Sequence, residues 1–296
     1  MELDRSVLIT GCSGFIGRHL IKTFIKHNTQ FYIYDIKEPP IELPEGRFIK
    51  GDIFDLQQLK QAVEHHNVII HLVGLADSAV VQREPMQSFM LNLVSLQNLL
   101  ESCRIFKKKK VVFPSSAAVY GLTEDLPVKE SFHLNPTNTY SWHKYLCEKM
   151  LLAYHRNYGI DYVSLRLFNV YGQGNKGVID FFIEKAKNKE AIESFGPYQY
   201  RDFVYAGDVA EAFHKAAIYE KTSNRVVNIG SGNGFQIRDI LDLICEIFPE
   251  VKWTEMKSDF VMYDSIADIT LARILLDFKP DGSREFMKKI ISEEMI

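Results

Sequence analysis

Val7-Leu8-Ile9-Thr10-Gly11-Cys12-Ser13-Gly14-Phe15-Ile16-Gly17 is the stretch whose reading decides the fold. Val7, Leu8 and Ile9 form a short branched apolar run, suited to a strand buried on both faces. Glycines follow at 11, 14 and 17. Gly11 permits a tight turn, Gly14 lets the backbone approach a pyrophosphate, and Gly17 lets the next helix lie close against the sheet. That helix begins near Phe15 and Ile16, and its free N–H groups and dipole make its start an anion site that needs no lysine. Ile16, Leu20 and Phe24, with Ile21 and Ile25 beside them, predict one apolar stripe facing a sheet. A second strand, Phe31-Tyr32-Ile33-Tyr34, ends in Asp35, followed by Ile36. A carboxylate there accepts hydrogen bonds from adenosine ribose hydroxyls and repels a 2′-phosphate, which predicts NAD rather than NADP.

The 296 residues are enough for one large domain or a large and a small one, and no low-complexity stretch divides them. A net charge of −3 lacks the basic excess of a nucleic-acid binder, so a small-molecule ligand is expected. The one basic run, Lys107 to Lys110, precedes the apolar Val111-Val112-Phe113 and reads as a solvated loop guarding a strand end. Cys12, Cys103, Cys147 and Cys245 show neither metal nor disulfide spacing, which predicts reduced thiols, a cytoplasmic protein and no metal centre. The first strand begins too early for a signal peptide, and no apolar run reaches the length of a membrane span.

Beyond Asp35, the prolines at 39, 40 and 44 mark a loop, and Phe48-Ile49-Lys50 returns as a strand ending at Gly51-Asp52-Ile53. Asp52 stands at a strand's carboxyl end, where it either meets the adenine amino group or makes a turn. Residues 55 to 65 predict a helix on Leu56, Leu59 and Val63. Val68-Ile69-Ile70-His71-Leu72 predicts another buried strand, continued by the small apolar Val73-Gly74-Leu75-Ala76, which suits a segment lying against a flat ring system. His71, among apolar neighbours, reads as a core histidine. Pro85 opens a long helix to about Cys103 with Phe89, Leu93, Leu96 and Leu100 on its apolar face. Asn92 interrupts that face and must find a water or a neighbouring backbone beside the site.

Val111-Val112-Phe113 leads to Pro114-Ser115-Ser116-Ala117-Ala118-Val119-Tyr120-Gly121, so two hydroxyls emerge at the carboxyl end of a central strand. Tyr140 and Lys144 are four apart at the start of a second long helix, about 138 to 158, so phenol and ammonium share one face. Making a tyrosine a base at pH 7 needs a drop of ~3 pKa units, about 4 kcal/mol of preferential phenolate stabilisation. Lys144 and an oxidised nicotinamide are both positive and supply it together, with Ser116 donating to the substrate oxygen.

These three motifs together resemble the extended short-chain dehydrogenases/reductases, the NAD-dependent epimerase/dehydratase family of nucleotide-sugar enzymes. The likeness continues through Leu165-Arg166-Leu167-Phe168-Asn169-Val170-Tyr171-Gly172, Arg201-Asp202-Phe203-Val204-Tyr205, Asp208-Val209-Ala210, Asn228-Ile229-Gly230-Ser231-Gly232 and Ala267-Asp268. It implies an α/β fold: a Rossmann-type, doubly wound parallel sheet with a smaller C-terminal α/β substrate domain. Residues 1–170 would form the NAD-binding domain and 171–296 mainly the nucleotide-sugar domain, with 207–232 returning to the large sheet. The cofactor, on this likeness, touches Ile36, Ile53, Leu72, Val73, Gly74, Asn92, Phe168 and Val170 besides the glycine turn, Asp35, Asp52, Tyr140 and Lys144. The substrate meets Ala76, Ser116, Ala117, Tyr140 and Val178, and its diphosphate meets Asn169 and Arg201. For Arg201 the competing reading is an ion pair with Asp202 or a helix end. The helices at 85–103 and 138–158 resemble those that pair in the family's dimers, so a homodimer is expected, the alternative being that both apolar faces serve the sheet.

A 4,6-dehydratase of this family usually follows its strand-end hydroxyl with Asp and Glu; here Ala117 and Ala118 can transfer no proton. Asp35 disfavours the NADP-dependent sugar reductases. What needs no further group is 4-epimerisation of a UDP-hexose through a transient 4-keto sugar. A nucleotide-sugar dehydratase or dehydrogenase, and a non-catalytic NAD-binding sensor on the same fold, are the alternatives. Residues 257–264 lack the arginine that many relatives place there for the diphosphate, Gly196-Pro197-Tyr198-Gln199-Tyr200 is a shortened turn before Arg201, and Pro114 replaces a small polar residue.

Overall fold

Branched apolar runs become strands here and amphipathic stripes become helices, in the order the sequence dictates. The computed structural model describes residues 6–106, 109–123, 125–257 and 263–296. Its first half runs β1 (Val7–Thr10), α1 (Phe15–Lys26), β2 (Phe31–Asp35), β3 (Phe48–Lys50), α2 (Leu56–Glu64), β4 (Val68–His71), α3 (Ser78–Arg83), α4 (Pro85–Phe89), α5 (Ser95–Ile105), β5 (Lys110–Ser116), α6 (Thr139–Tyr158) and β6 (Asp161–Leu167). The second half runs β7 (Asn169–Tyr171), α7 (Val178–Lys187), β8 (Ile192–Phe195), β9 (Tyr200–Tyr205), α8 (Ala206–Ile218), β10 (Arg225–Ile229), β11 (Gly234–Gln236), α9 (Ile237–Ile247), β12 (Trp253–Met256), α10 (Thr270–Leu276) and α11 (Arg284–Ile290).

Seven strands make one parallel sheet in the order β10-β6-β5-β4-β1-β2-β3. The chain leaves β1 in one direction towards β3 and returns to its other side at β4. That reversal is the switch point of a doubly wound sheet, where a crevice opens outside the strands' carboxyl ends. One face of the sheet packs on α1, α8 and α10, the other on α2, α5 and α6. A third core joins α7, α9 and α11 to Tyr171, Ile192 and Phe203, beneath the small sheets β11-β9-β7 and β12-β8.

Several sequence expectations need correction. Lys109 and Lys110 are buried, not solvated: the Lys109 ammonium donates to the carbonyls of Val63, Glu64 and His66, and Lys110 to Tyr219 O and Thr222 Oγ1. Lys107 and Lys108 lie outside the described residues. The stripe positions Ile25, Leu56 and Phe89 are exposed rather than buried against the sheet. The expected helix from Pro85 runs on through α4, a π turn over Met90–Val94, and α5 to Ile105. The extra residue in that turn lies around Asn92.

Candidate active site

Two close approaches fix the glycine turn. Gly11 has φ +75°, and a Cβ there would sit 2.5 Å from Val73 N; a Cβ at Gly17 would sit 2.1 Å from Cys12 O. The turn's packing thus admits no side chain at either position. Asp35 ends β2 beside it. Its Oδ2 accepts from Ser13 N at 2.9 Å and its Oδ1 from Lys37 N at 3.2 Å. Each oxygen retains a lone pair for a ribose hydroxyl.

A cleft of about 740 Å³ opens from this turn across the carboxyl ends of the central strands. It brings together Gly11, Gly14, Phe15, Ile16 and Gly17 with Leu72, Gly74 and Ala76. Ser116, Tyr140 and Lys144 line its middle, and Phe168, Asn169, Val170 and Val178 its far side. Asp35, Ile36, Asp52, Ile53, Val73, Asn92, Ala117 and Arg201 are not part of this lining. Asp52 is exposed and makes the turn, its Oδ1 accepting from Phe54 N at 2.9 Å. Asn92 is buried and clamps the cleft wall: Oδ1 accepts from Leu75 N at 2.8 Å and Nδ2 donates to Leu75 O at 3.2 Å. That is the neighbouring backbone expected of a polar residue in an apolar stripe, delivered by the π turn.

Ser116 closes β5, and its hydroxyl oxygen accepts from Ala118 N at 3.2 Å, leaving the hydroxyl proton to donate. Tyr140 opens α6, where Asn138 caps the first turn and Ser141 reciprocates. Burial pushes the Tyr140 phenol above its ordinary pKa, while a hydrogen bond with Ser116 pulls it down. Lys144, one turn later, is buried and donates to Pro114 O at 2.7 Å. The proline at that position thus serves through its carbonyl. Burial lowers the Lys144 pKa to about 8, against the raising influence of Cys147 and Glu148. Its ammonium stands 5.9 Å from the Tyr140 ring centre.

Behind the site is a buried pair that the motif reading missed. Arg166 donates from Nε to Glu148 Oε1 at 2.9 Å and from Nη2 to Oε2 at 2.8 Å. Glu148 also accepts from Ser115 Oγ at 2.6 Å, so β5, β6 and α6 are locked together directly under Ser116 and Lys144. His71 is the satisfied core residue expected: Thr10 Oγ1 donates to Nδ1 at 2.8 Å and Nε2 donates to Ser95 Oγ at 3.2 Å. Burial, and then Lys144, lower its pKa to about 3, so it is neutral.

On the substrate side, Asn169 spends one amide hydrogen on Asp202 O at 3.0 Å and keeps the other. Asp202 does not pair with Arg201; it is buried and accepts from Ser231 N, Ser231 Oγ, Gly232 N and Ala267 N, tying the late sequence landmarks together. The Arg201 guanidinium is taken up by Tyr263 O, by Gln199 Oε1 at 2.6 Å and by Tyr200 O at 3.1 Å. Of the arginine-free 257–264 stretch, 258–262 lie outside the described residues. Asp77, Asn175 and Lys176 line the cleft and were not singled out in the sequence, because they fall in loops without a motif.

Away from the cleft, His27, Glu211 and His214 bring three metal-ligating side chains within 4.8 Å. The two rings stack at 11°, so their in-plane lone pairs do not converge, and Glu211 is bonded to Lys26 at 2.8 Å. No helix among the described residues is long and apolar enough to cross a membrane.

The model of the NAD dependent epimerase/dehydratase family matches residues 7–230. The chain is similar to a putative UDP-glucose 4-epimerase of Methanocaldococcus jannaschii, 35% identical over 302 residues that cover 98% of this chain and 95% of that one. Its fold matches a UDP-N-acetylglucosamine 4-epimerase from Methanobrevibacter ruminantium, solved with UDP-N-acetylmuramic acid, at a TM-score of 0.88 and 29% identity, over 99% of this chain and 97% of that one. It also matches a UDP-glucose 4-epimerase of Thermus thermophilus, solved with NAD, at 0.85 and 27% identity, over 97% and 98%.

Proposed function

The chain belongs to the NAD-dependent epimerase/dehydratase family, and from that premise we propose that it is a nucleotide-sugar 4-epimerase acting on a UDP-hexose. The observation that carries the reading is the meeting of Ser116, Tyr140 and Lys144 in one cleft with the glycine turn, followed in sequence by two alanines where elimination would need an acid and a base. The relatives named above support both the sugar nucleotide and the epimerisation.

The glycine turn and Asp35 fit NAD: a backbone cradle at a helix start takes the pyrophosphate, and a carboxylate beside it takes the ribose. Held by these residues, NAD would supply a reversible hydride acceptor for sugar C4, which is the chemistry that 4-epimerisation requires. Tyr140 takes the O4 proton and later gives it back. Ser116 donates a hydrogen bond to the same oxygen. Lys144, mostly protonated at pH 7, favours the Tyr140 phenolate by its charge. Leu72, Gly74, Phe168 and Val170 form the walls against a flat ring, while Ala76, Asn169 and Val178 face the substrate. Asp52, Ile36, Ile53, Val73 and Asn92 serve from just outside, Asn92 by holding Leu75. We also propose the division into residues 1–170 for the cofactor and mainly 171–296 for the substrate, with 207–232 returning to the large sheet.

The test is to incubate the purified chain, with and without added NAD, with UDP-glucose or UDP-galactose and to follow the sugar by NMR. The expected result is one equilibrium mixture approached from both sides at unchanged mass. Tyr140→Phe should slow it by at least about a hundredfold, as for loss of a general base. Loss of water, or net accumulation of NADH, would mean a dehydratase or a dehydrogenase instead. No turnover of any UDP-sugar 4-epimer pair, with Tyr140→Phe identical to wild type, would leave only a nucleotide-binding protein.

A further inference from the structure

We propose that His143 is a positioning residue: through Ser88 and Asn92 it holds the cleft wall at residues 74–76. That the hold serves turnover rests on the epimerase reading above. Asn92 reaches the wall by two bonds, accepting at Oδ1 from Leu75 N at 2.8 Å and donating from Nδ2 to Leu75 O at 3.2 Å. Those bonds fix which end of the carboxamide is which, since only its oxygen can face an N–H. Gly74 makes room for the approach, because a Cβ there would sit 2.6 Å from Asn92 Oδ1. The second hydrogen on Nδ2 is left for Ser88 Oγ at 3.2 Å, and His143 Nδ1 lies 3.4 Å from the same nitrogen. Ser88 Oγ in turn stands 3.0 Å from His143 Nδ1. An amide nitrogen only donates, so Nδ1 faces a donor and must itself accept. The hydrogens therefore run from Asn92 Nδ2 to Ser88 Oγ, and from the Ser88 hydroxyl to His143 Nδ1.

This order requires a neutral imidazole with its hydrogen on Nε2. Burial, and then the neighbouring Lys144 ammonium, lower the His143 pKa, which keeps the ring neutral at pH 7. Ser88, Asn92 and His143 are all buried, so a hydroxyl or amide hydrogen robbed of its acceptor finds no water in exchange. His143 immediately precedes Lys144 on α6, and one turn later the Cys147 thiol donates to Asn92 O at 3.2 Å. The helix that carries Tyr140 and Lys144 thus grips, at two levels, the π turn that holds Leu75. Gly74, Leu75 and Ala76 line the same cleft as that phenol and ammonium, so the relay sets the distance between the wall and the reacting groups.

The test is NMR-detected hydrogen exchange on the full chain, with the Leu75 amide as readout and the amides of β5 as the control for the fold. His143→Phe keeps a flat ring without an acceptor and should speed Leu75 exchange by about tenfold or more, with β5 unchanged. His143→Asn places an oxygen where Nδ1 stood and should stay within about threefold of wild type, whereas His143→Gln, which mimics Nε2, should behave as His143→Phe does. Ser88→Ala breaks the middle of the relay. It should match His143→Phe, and the two together should be no worse than either, because they interrupt one connection. For UDP-glucose and UDP-galactose interconversion, His143→Phe should lower kcat by about tenfold or more and leave KM within about threefold, with His143→Asn restoring kcat. Unchanged Leu75 exchange in His143→Phe, or His143→Asn no better than His143→Phe, overturns the assignment. Faster exchange with kcat untouched overturns the positioning role. The expected exchange pattern in a wild type that interconverts no UDP-sugar overturns the epimerase reading instead and leaves the hold on the wall standing.

Discussion

Tyr140 and Lys144 stand one helical turn apart, and burial acts on both: it pushes the phenol up and the ammonium down, each away from its charged form. Burial thus favours a neutral phenol beside a weakened ammonium, and the charge of an oxidised nicotinamide held beside them would favour the phenol's anion. The lysine's burial has a measurable consequence for stability. Unfolded, Lys144 holds its proton up to about pH 10.5; folded, it holds it only up to about 8. Between those values the unfolded chain binds more protons, so folding stability rises with pH across that window. The shift corresponds to about 3 kcal/mol, from ~1.4 kcal/mol per pKa unit. Urea unfolding of wild type and Lys144→Met should show a stability difference that moves in favour of wild type from pH 8 to 10.5 by up to that amount. A difference flat in pH would mean that the ammonium is solvated.

At the scale of elements, three segments are held in register by one buried pair. Arg166 on β6 grips Glu148 on α6 through two parallel bonds, and Glu148 takes a third from Ser115 on β5. Removing the arginine alone leaves a buried carboxylate without its cation, so Arg166→Met should cost about 3–5 kcal/mol in chemical denaturation. Arg166→Met with Glu148→Met should recover most of that loss, because two buried apolar side chains need no partner. A double variant as unstable as the single would locate the cost in packing. This clamp was not legible in the sequence: Arg166 and Glu148 are eighteen positions apart on different elements, and neither breaks a local pattern. Asn92 did break one, and its interruption of an apolar stripe correctly marked a bond to neighbouring backbone. What the stripe could not reveal was the π turn that aims it, since one extra residue in a helix leaves the apolar spacing on either side nearly intact. Lys109 and Lys110 misled for the opposite reason: a run of lysines looks solvated until three-dimensional neighbours offer carbonyls to each ammonium.

Five strands of the large sheet, β1 to β5, were readable because each carries its own signal, branched or aromatic apolar residues bounded by glycine, proline or an acid, whereas β6 and β10 entered only through the family likeness of the stretches at 165–172 and 228–232. Long-range choices were less so: Arg201 had the right residue type for a phosphate, and only the fold shows its guanidinium turned to three neighbouring acceptors. The same distinction governs assembly. Met86, Phe89 and Met90 from the first long helical stretch and Trp142 and Leu146 from α6 are exposed, Met86 at 73% and Trp142 at 48%, while Phe89 packs edge-on to His143 so that the two sets adjoin. A cluster of large apolar side chains on two neighbouring helices is a surface that burial against a second copy would stabilise. Analytical ultracentrifugation at micromolar concentration should give twice the chain's 34.1 kDa. Substituting Trp142→Asp with Met86→Asp should return it to single chains, since a desolvated carboxylate on each side of a twofold contact costs several kcal/mol. A wild type that sediments as single chains at every concentration, with the double variant unchanged, would assign those residues to solvent and take the homodimer away.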